Sequence, residues 1–135
     1  MIVELELLDE QVFTKVIQYV LENEPMLDLD KENFSLQQKD PSPATLPFIY
    51  LHQIVATETS RNLEADCING GLFTYEIRVT SNVSQSEAKK IANAVGKAFK
   101  SMGFWATSLP LENDYNNLHV RISRWQRQID EGDTI

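Results

Sequence analysis

The chain has 135 residues, with 20 acidic against 12 basic side chains and a formal net charge of −8. This length suits one domain, residues 1–135, and the negative charge disfavours DNA or RNA binding, which needs cations to displace counterions from phosphates. Its one cysteine, Cys67, excludes an internal disulfide. The sequence contains neither a signal peptide pattern nor an apolar run of about 20 residues, so we expect a soluble protein made in the cytoplasm.

The first predicted element is an amphipathic helix over residues 9–22. Asp9 is its expected N-cap, and Pro25 is the latest point at which it can end. The sequence leaves open whether residues 5–8 extend this helix backwards or belong to an N-terminal arm of residues 1–8. The apolar side chains follow the 3.6-residue period of one buried stripe and are Val12, Phe13, Val16, Ile17, Val20 and Leu21.

A long hairpin is predicted after a polar region in which only residues 34–36 hint at a short strand. Residues 47–57 are rich in β-branched and aromatic side chains, which predicts a strand that is apolar on both faces. Residues 72–80 alternate between apolar and polar side chains, which predicts a strand with one wet side. The polar residues 58–71 between them end in Asn-Gly-Gly and are the expected connection of the hairpin.

The second helix, predicted over residues 84–102, has the clearest signals of any element. Ser84 and Glu87 have the spacing of a capping box, and Gly103 is the expected C-terminal cap. Lysines at positions 89, 90, 97 and 100 fall on its flanks and outer face. The apolar stripe that should face the sheet consists of Ala88, Ile91, Ala92, Val95, Ala98, Phe99 and Met102.

The last third of the chain predicts two more strands. Residues 104–109 should form a strand that ends at Pro110, residues 112–117 a polar turn, and residues 118–125 a strand with alternating faces. The acidic residues 130–135 are expected to form a loose C-terminal tail. Together the elements predict an α+β fold, a two-layer sandwich with two amphipathic helices on a largely antiparallel sheet of four to five strands.

Catalysis has little support in this sequence. His52 and His119 each stand alone in a predicted strand, and Cys67 has no basic neighbour in sequence that would activate its thiol. Residues 112–117 offer several oxygen ligands but lack the glycine and the distal glutamate of a calcium loop. We therefore expect no enzymatic activity, no metal and no cofactor.

Arginines and a tryptophan cluster in the last predicted strand. Its alternation places Leu118, Val120 and Ile122 on one face. The opposite, wet face would carry Arg121, Ser123, Trp125 and Arg127, with Arg124 projecting from the other side. Exposed Trp and Arg are favoured at protein contact surfaces, so these side chains are interface candidates. The alternative is a tryptophan folded onto the edge of the core with solvated arginines around it.

The order and spacing of these motifs resemble those of the tail terminator, or tail completion, proteins of long-tailed bacteriophages. The resemblance covers about residues 45–130 and rests on four stretches: the Gly-Gly-Leu-Phe-Thr-Tyr-Glu-Ile-Arg-Val-Thr strand from residue 70, the Ser-Glu-Ala-Lys-Lys-Ile-Ala helix start at residue 86, Ser-Met-Gly-Phe at residue 101, and Leu-His-Val-Arg-Ile-Ser-Arg-Trp at residue 118. Residues 1–44 agree with the family only in bearing an N-terminal helix.

The resemblance implies a structural virion protein without enzymatic activity. Such a subunit closes the growing tail tube as a homohexameric ring, stops polymerisation and joins the tail to the neck of the filled head. Its implied partners are other copies of itself, the tail tube protein and a head completion or stopper protein, and its implied location is the tail and neck of the virion. DNA would pass through the ring lumen without specific binding, which suits an acidic chain.

Other functions remain open from the sequence. One is a different neck component, such as a head completion or adaptor protein, or an assembly subunit unrelated to phages. Another is a small α+β module that binds a ligand or regulates a partner, and an enzyme is the third. If the hairpin tip reaches an adjoining ring or subunit, its contact candidates are Arg61, Glu64 and Asp66.

Overall fold

The computed structural model describes residues 1–38, 46–61 and 68–135. It contains two α-helices, α1 (Leu8–Asn23) and α2 (Gln85–Ser101). Short 3-10 turns precede and follow α1, at Leu5–Leu7, Pro25–Leu27 and Lys31–Asn33. The strands are β1 (Phe34–Ser35), β2 (Phe48–Arg61), β3 (Ile68–Ser81), β4 (Trp105–Ala106), β5 (Leu111–Tyr115) and β6 (Leu118–Asp130).

The predicted stripe of α1 is confirmed at Val12, Val16 and Val20, which are buried, and in part at Phe13 and Ile17, which pack against the core. It is wrong at Leu21, which is exposed. The helix starts at Leu8 with Leu7 as its N-cap, so the prediction that Asp9 is the cap is wrong. Asp9 lies instead in the first turn, where a carboxylate still interacts favourably with the helix dipole. Residues 5–7 continue the helix backwards as a 3-10 turn.

The second helix forms over the predicted residues, with the Ser84 half of the predicted capping box. The Ser84 hydroxyl accepts a hydrogen bond from the Glu87 amide at 3.1 Å, which satisfies one of the free donors of the first turn. Gly103 ends the helix with a φ of 85°, and two hydrogen bonds complete a Schellman motif: Phe104 N to Phe99 O, and Gly103 N to Lys100 O, both 3.0 Å. The stripe from Ala88 to Met102 is buried.

The α+β class is confirmed, but the sheet is larger than the predicted four to five strands. In the part of the chain that the structure describes, six strands form one mixed sheet in the order β1-β2-β3-β6-β4, and β5 also pairs with β6. The β1–β2 pair is parallel and the remaining pairs are antiparallel. Both helices contribute to one core with the inner face of this sheet, where Tyr75, Ile77 and Val79 of β3 lie.

Two predicted turns are wrong because tertiary pairing extends the strands through them. The Asn-Gly-Gly sequence ending at Gly71 lies inside β3, and a Cβ at Gly71 would approach the Thr57 carbonyl oxygen to 2.9 Å. A glycine at position 71 therefore allows β2 and β3 to pack closely. Residues 112–117 are not a plain turn either, since they include most of β5. The chain reverses at Asn116 and Asn117, which adopt φ values of 50° and 63° as tight hairpins require.

The two chain ends are bound to each other. Val3 N donates to Asp133 O at 2.7 Å, Gly132 N donates to Val3 O at 3.1 Å, and Ile135 N donates to Met1 O at 3.0 Å. Val3 and Ile135 are both buried. The possibility of an N-terminal arm and the prediction of a loose tail over residues 130–135 are therefore wrong, because the apolar side chains at both ends join the core.

Candidate functional site

The strand β6 carries most of the predicted contact residues and sorts them onto two faces. It pairs with β3 in a register that sets Trp125 opposite Tyr75 and Arg124 opposite Glu76. Because opposed residues share a face of the sheet, Trp125 points towards the helices and Arg124 points away from them. The predicted wet face of this strand is therefore the inner face. The prediction for that face is wrong, and the alternative of a tryptophan in the core holds.

Trp125 is a core residue, with only 8% of its surface exposed. Its ring stacks on Phe99 of α2 with a centroid distance of 6.3 Å, and its Nε1 donates to Ser123 Oγ at 3.3 Å. A side chain held in this way stabilises the fold and offers little surface to another subunit.

Arg127 and Arg121, on the same inner face, are engaged within the chain. Arg127 Nη1 donates to the carbonyl oxygens of Met102 and Thr134, which ties the end of α2 to the C-terminal segment. Arg121 pairs with Glu112 of β5, and only 11% of its side chain is exposed. Of these two arginines, Arg121 alone lines an open cleft beside α2.

Arg124 stands on the opposite side of the sheet in a charged network that we call the outer-face cluster: Tyr50, His52, Glu76, Arg78 and Arg124. Arg124 Nε donates to Glu76 Oε2 at 3.0 Å, and His52 Nε2 lies 3.1 Å from Glu76 Oε1. Arg78 Nη2 is 3.8 Å from the same carboxylate. The Tyr50 and His52 rings stack with their centroids 4.6 Å apart.

Glu76 is the centre of this cluster and is nearly buried, with 8% of its side chain exposed. Burial by itself would raise the pKa of the Glu76 carboxyl, but the hydrogen bonds and charges of His52 and Arg124 outweigh it and hold the pKa below its usual range. Glu76 therefore stays ionised, and with Arg78 and Arg124 the cluster carries a net positive charge on an acidic protein.

The cluster is open to contact from outside. Side-chain exposure is 49% for Arg124, and Arg78 and His52 are also partly exposed. The Nε of Arg78 is buried and has no hydrogen-bond acceptor among the described residues. Since both α-helices pack on the inner face, neither covers this cluster. Arg124 is thus the one predicted β6 candidate that lies half-exposed and braced by a buried carboxylate.

The second histidine belongs to the β5–β6 hairpin. Asp114 Oδ1 accepts a hydrogen bond from Gln85 Nε2 at 2.6 Å and lies 2.9 Å from His119 Nδ1. The Gln85 bond and then the His119 bond lower the pKa of the Asp114 carboxyl. These contacts join the start of α2 to the hairpin, which is a structural role for His119.

The three hairpin-tip candidates are only partly within the described residues. Arg61 is the last residue of β2, paired with Ile68 of β3. Glu64 and Asp66 lie outside the described residues. Their proposed contacts stay a prediction.

The sequence could not reveal the outer-face cluster as a unit. Tyr50 and His52 come from β2, Glu76 and Arg78 from β3, and Arg124 from β6, so the strand registers alone bring them together. The available signal was the polar residue at every second position from Thr74 to Thr80, two of them charged, which marks one polar face of β3 but does not identify the partners on the other strands.

Comparison with known proteins identifies no family for this chain. No protein-family model matches it, and no curated protein matches it. Within residues 1–38, 46–61 and 68–135, no helix combines the length and apolarity needed to span a membrane. The same parts of the chain hold no group of three or more His, Cys, Asp or Glu side chains arranged to bind a metal ion.

Proposed function

We propose that this chain is a non-enzymatic structural subunit of a bacteriophage tail. As a homohexameric ring it caps the tail tube, ends its polymerisation and joins the tail to the neck of the filled head. It is made in the host cytoplasm and ends in the virion, and DNA passes through the ring without specific binding. The family resemblance of residues 45–130 motivates this proposal.

The observation that carries the proposal is the outer-face cluster. No described α-helix covers this sheet face. It presents Arg124, which is hydrogen-bonded to the nearly buried Glu76, and Arg78, which lies 3.8 Å from the same carboxylate. Arginine offers a planar set of donors that can bind a partner's carboxylate, and because Glu76 holds Arg124 in place, less side-chain entropy is lost on contact. Such a preorganised, partly exposed patch suits assembly with another protein better than small-molecule chemistry.

The β2 edge supports the same function. The short strand β1 pairs only with Ile49 and Tyr50 of β2. Among the described residues, no strand pairs with the rest of that edge, from Leu51 to Arg61. Unpaired strand edges are sites at which another chain can add a strand.

The test is a phage that carries this gene, with the gene deleted or altered to Arg124→Ala, scored by electron microscopy. Deletion should leave filled heads separate from tails that are overlong or lack a cap. Arg124→Ala should give the same defect while the purified protein stays folded with a lowered melting temperature, because the side chain contributes about 2 kcal/mol to a contact and about 1–2 kcal/mol to the fold through its hydrogen bond to Glu76. Lys89→Ala, which removes the same charge from the exposed face of α2, is the matched control and should yield normal virions.

Each alternative outcome has a distinct meaning. Deletion phages with joined virions of normal tail length would overturn the proposal. Tails of normal length that fail to join heads would instead indicate a different neck protein, such as a head completion or adaptor protein. Normal virions from Arg124→Ala alone would remove Arg124 from the interface and leave the terminator function standing.

A further inference from the structure

The sheet of the described residues has an open strand edge at each end. At one end lies the β2 edge, residues 51–61, because β1 pairs only with Ile49 and Tyr50. At the other end lies what we call the β5 edge, the free side of Leu111–Tyr115, because β5 pairs with β6 alone. Unpaired N–H and C=O groups at such edges can pair with a strand of another chain.

The first part of the β2 edge lacks the charged residues and prolines with which proteins usually protect exposed edges. Residues 51–57 read Leu-His-Gln-Ile-Val-Ala-Thr and include no proline, lysine, arginine, aspartate or glutamate. A register shift against β3 between Gln53 and Val55 increases the local twist but supplies no charge. Ala56 and Thr57 are exposed. A stretch of this composition, rich in β-forming side chains and poor in charge, favours the addition of a further strand.

The β5 edge belongs to a strand whose described side chains are all exposed. Leu111 is 62% exposed although it is apolar. The two carboxylates of the strand are engaged on the inner face of the sheet, since Glu112 pairs with Arg121 and Asp114 lies 2.9 Å from His119. The outer face of β5, where Leu111 lies, therefore presents no charge that would repel an added strand.

The strand directions make the two edges compatible with each other. β2 is antiparallel to β3, β3 is antiparallel to β6, and β6 is antiparallel to β5. β5 therefore runs in the direction opposite to β2. Two copies that lie side by side in the same orientation would bring these edges together as an antiparallel pair, which is slightly more stable per residue than a parallel one. β5 has five residues, so the whole strand fits along the β2 edge.

We infer that the β5 edge of one copy pairs with the β2 edge of a second copy, so that the sheet continues from subunit to subunit. Because the two edges are different surfaces, the contact is head-to-tail, and its repetition closes a ring when the rotation returns to the first copy. Pairing of two β2 edges would instead form a closed dimer in which both β5 edges, with the exposed Leu111, stay open. This inference rests on the proposed ring and deepens it by naming the edges through which neighbouring subunits meet.

Cross-linking of single-cysteine variants tests which edges meet. Thr57→Cys and Asn113→Cys are made separately in a Cys67→Ser background, on chains of different tag size, then mixed and treated with a flexible bismaleimide. Both positions are exposed, and their pairing with Leu72 and Val120 puts both on the outer face of the sheet. Dimers that join one chain of each kind should outnumber each same-kind dimer by about tenfold, whereas random collision gives an excess of about twofold.

Matched controls make the same substitutions away from the edges. Thr14→Cys on α1 replaces Thr57→Cys, and Asn93→Cys on α2 replaces Asn113→Cys, each at an exposed position. Neither control should give more mixed dimer than random collision, and melting curves check that every variant is folded. Hydrogen exchange then tests for strand pairing itself, because the amides of residues 51–57 should exchange about tenfold more slowly in the mixed dimer than in the monomer.

The failures are distinguishable. A mixed-dimer yield no higher than that of the controls, or an excess of either same-kind dimer, would overturn the head-to-tail pairing. Mixed dimers without slower amide exchange would show a contact that is not strand pairing. If the gene deletion gives overlong tails while mixed dimers stay at the control level, the pairing is wrong and the terminator function stands. If mixed dimers dominate but the deletion is silent, the pairing stands and the proposed function fails.

Discussion

Gly96 of α2 lies directly against the indole ring of Trp125 on β6. A Cβ at position 96 would be 2.8 Å from Cζ2 of that ring, closer than the non-bonded contacts that Cβ atoms make. The indole belongs to the core and stacks on Phe99, so a shift away from Gly96 would disturb this packing. The glycine therefore sets how closely α2 approaches the sheet, and this approach buries Trp125.

We expect Gly96→Ala to lower the free energy of unfolding. Alanine gains about 1 kcal/mol of helix propensity over glycine, but overpacking in a tight core costs about 1–3 kcal/mol, and the rigid ring favours the larger penalty. Denaturant unfolding of the variant measures the difference. Asn93→Ala, on the exposed face of the same helix, should be neutral or slightly stabilising.

A double-mutant cycle tests whether the Trp125 indole causes the loss of stability in Gly96→Ala. Trp125→Phe removes the Cζ2 atom, so Gly96→Ala should cost less in that background than in the wild type. An equal cost in both backgrounds would show that the indole is not the obstacle.

Tyr75 should make the stability of the fold decrease at alkaline pH. Its hydroxyl donates to Asp9 Oδ1 at 2.6 Å and joins β3 to α1. Burial raises the pKa of the Tyr75 phenol well above its ordinary value, and the Asp9 hydrogen bond and charge raise it further. The folded state thus keeps the phenol neutral while the unfolded state ionises near pH 10. Stability from this group is fully present below pH 10 and declines above it, by about 1.4 kcal/mol per pH unit.

Tyr75→Phe should remove that alkaline decline. At neutral pH it should also cost about 1–2 kcal/mol, because the Asp9 carboxylate loses its partner. Urea unfolding at pH 8 and at pH 11 makes the comparison, with Tyr50→Phe on the outer face as the control that retains the decline. A Tyr75→Phe protein with an undiminished loss between the two pH values would contradict the assignment.

Glu76 should make the protein sensitive to acid. Since its pKa is held below the usual range in the folded state, the stabilisation is present above about pH 4.3, the ordinary value, and is lost as the pH falls through the folded value. Glu76→Gln should cost about 1–3 kcal/mol at pH 7, by leaving the arginines around it without a charged acceptor. The difference in the free energy of unfolding between Glu76→Gln and the wild type should become smaller below pH 4.

The matched control is Glu22→Gln, which removes the same charge from an exposed position of α1. It should change stability little at either pH. Equal free energies of unfolding for Glu76→Gln and Glu22→Gln at pH 7 would show that the outer-face cluster contributes nothing to stability. The contacts of its arginines with Glu76 would then not hold the fold together.

Local signals in the sequence determined the elements whose stabilising groups are close in sequence. The helix α2 is specified by the Ser84 cap, by an apolar stripe of one period and by Gly103, all within twenty residues, and it forms as predicted. The α+β class follows from the same kind of pattern. The extent of the hairpin does not, because β2 and β3 pair beyond the point at which their apolar pattern fades.

Only the tertiary structure decided which face of β6 is buried. The alternation of that strand is clear in the sequence, but apolar side chains occur on both faces, with Val120 and Ile122 on one and Trp125 and Ile129 on the other. A period of two separates the faces without saying which one meets the helices. That choice came from the register with β3 and from the space beside Gly96, which admits the indole. The same register placed Arg124 outside, over Glu76, because side chains on neighbouring strands meet only when distant parts of the chain pair.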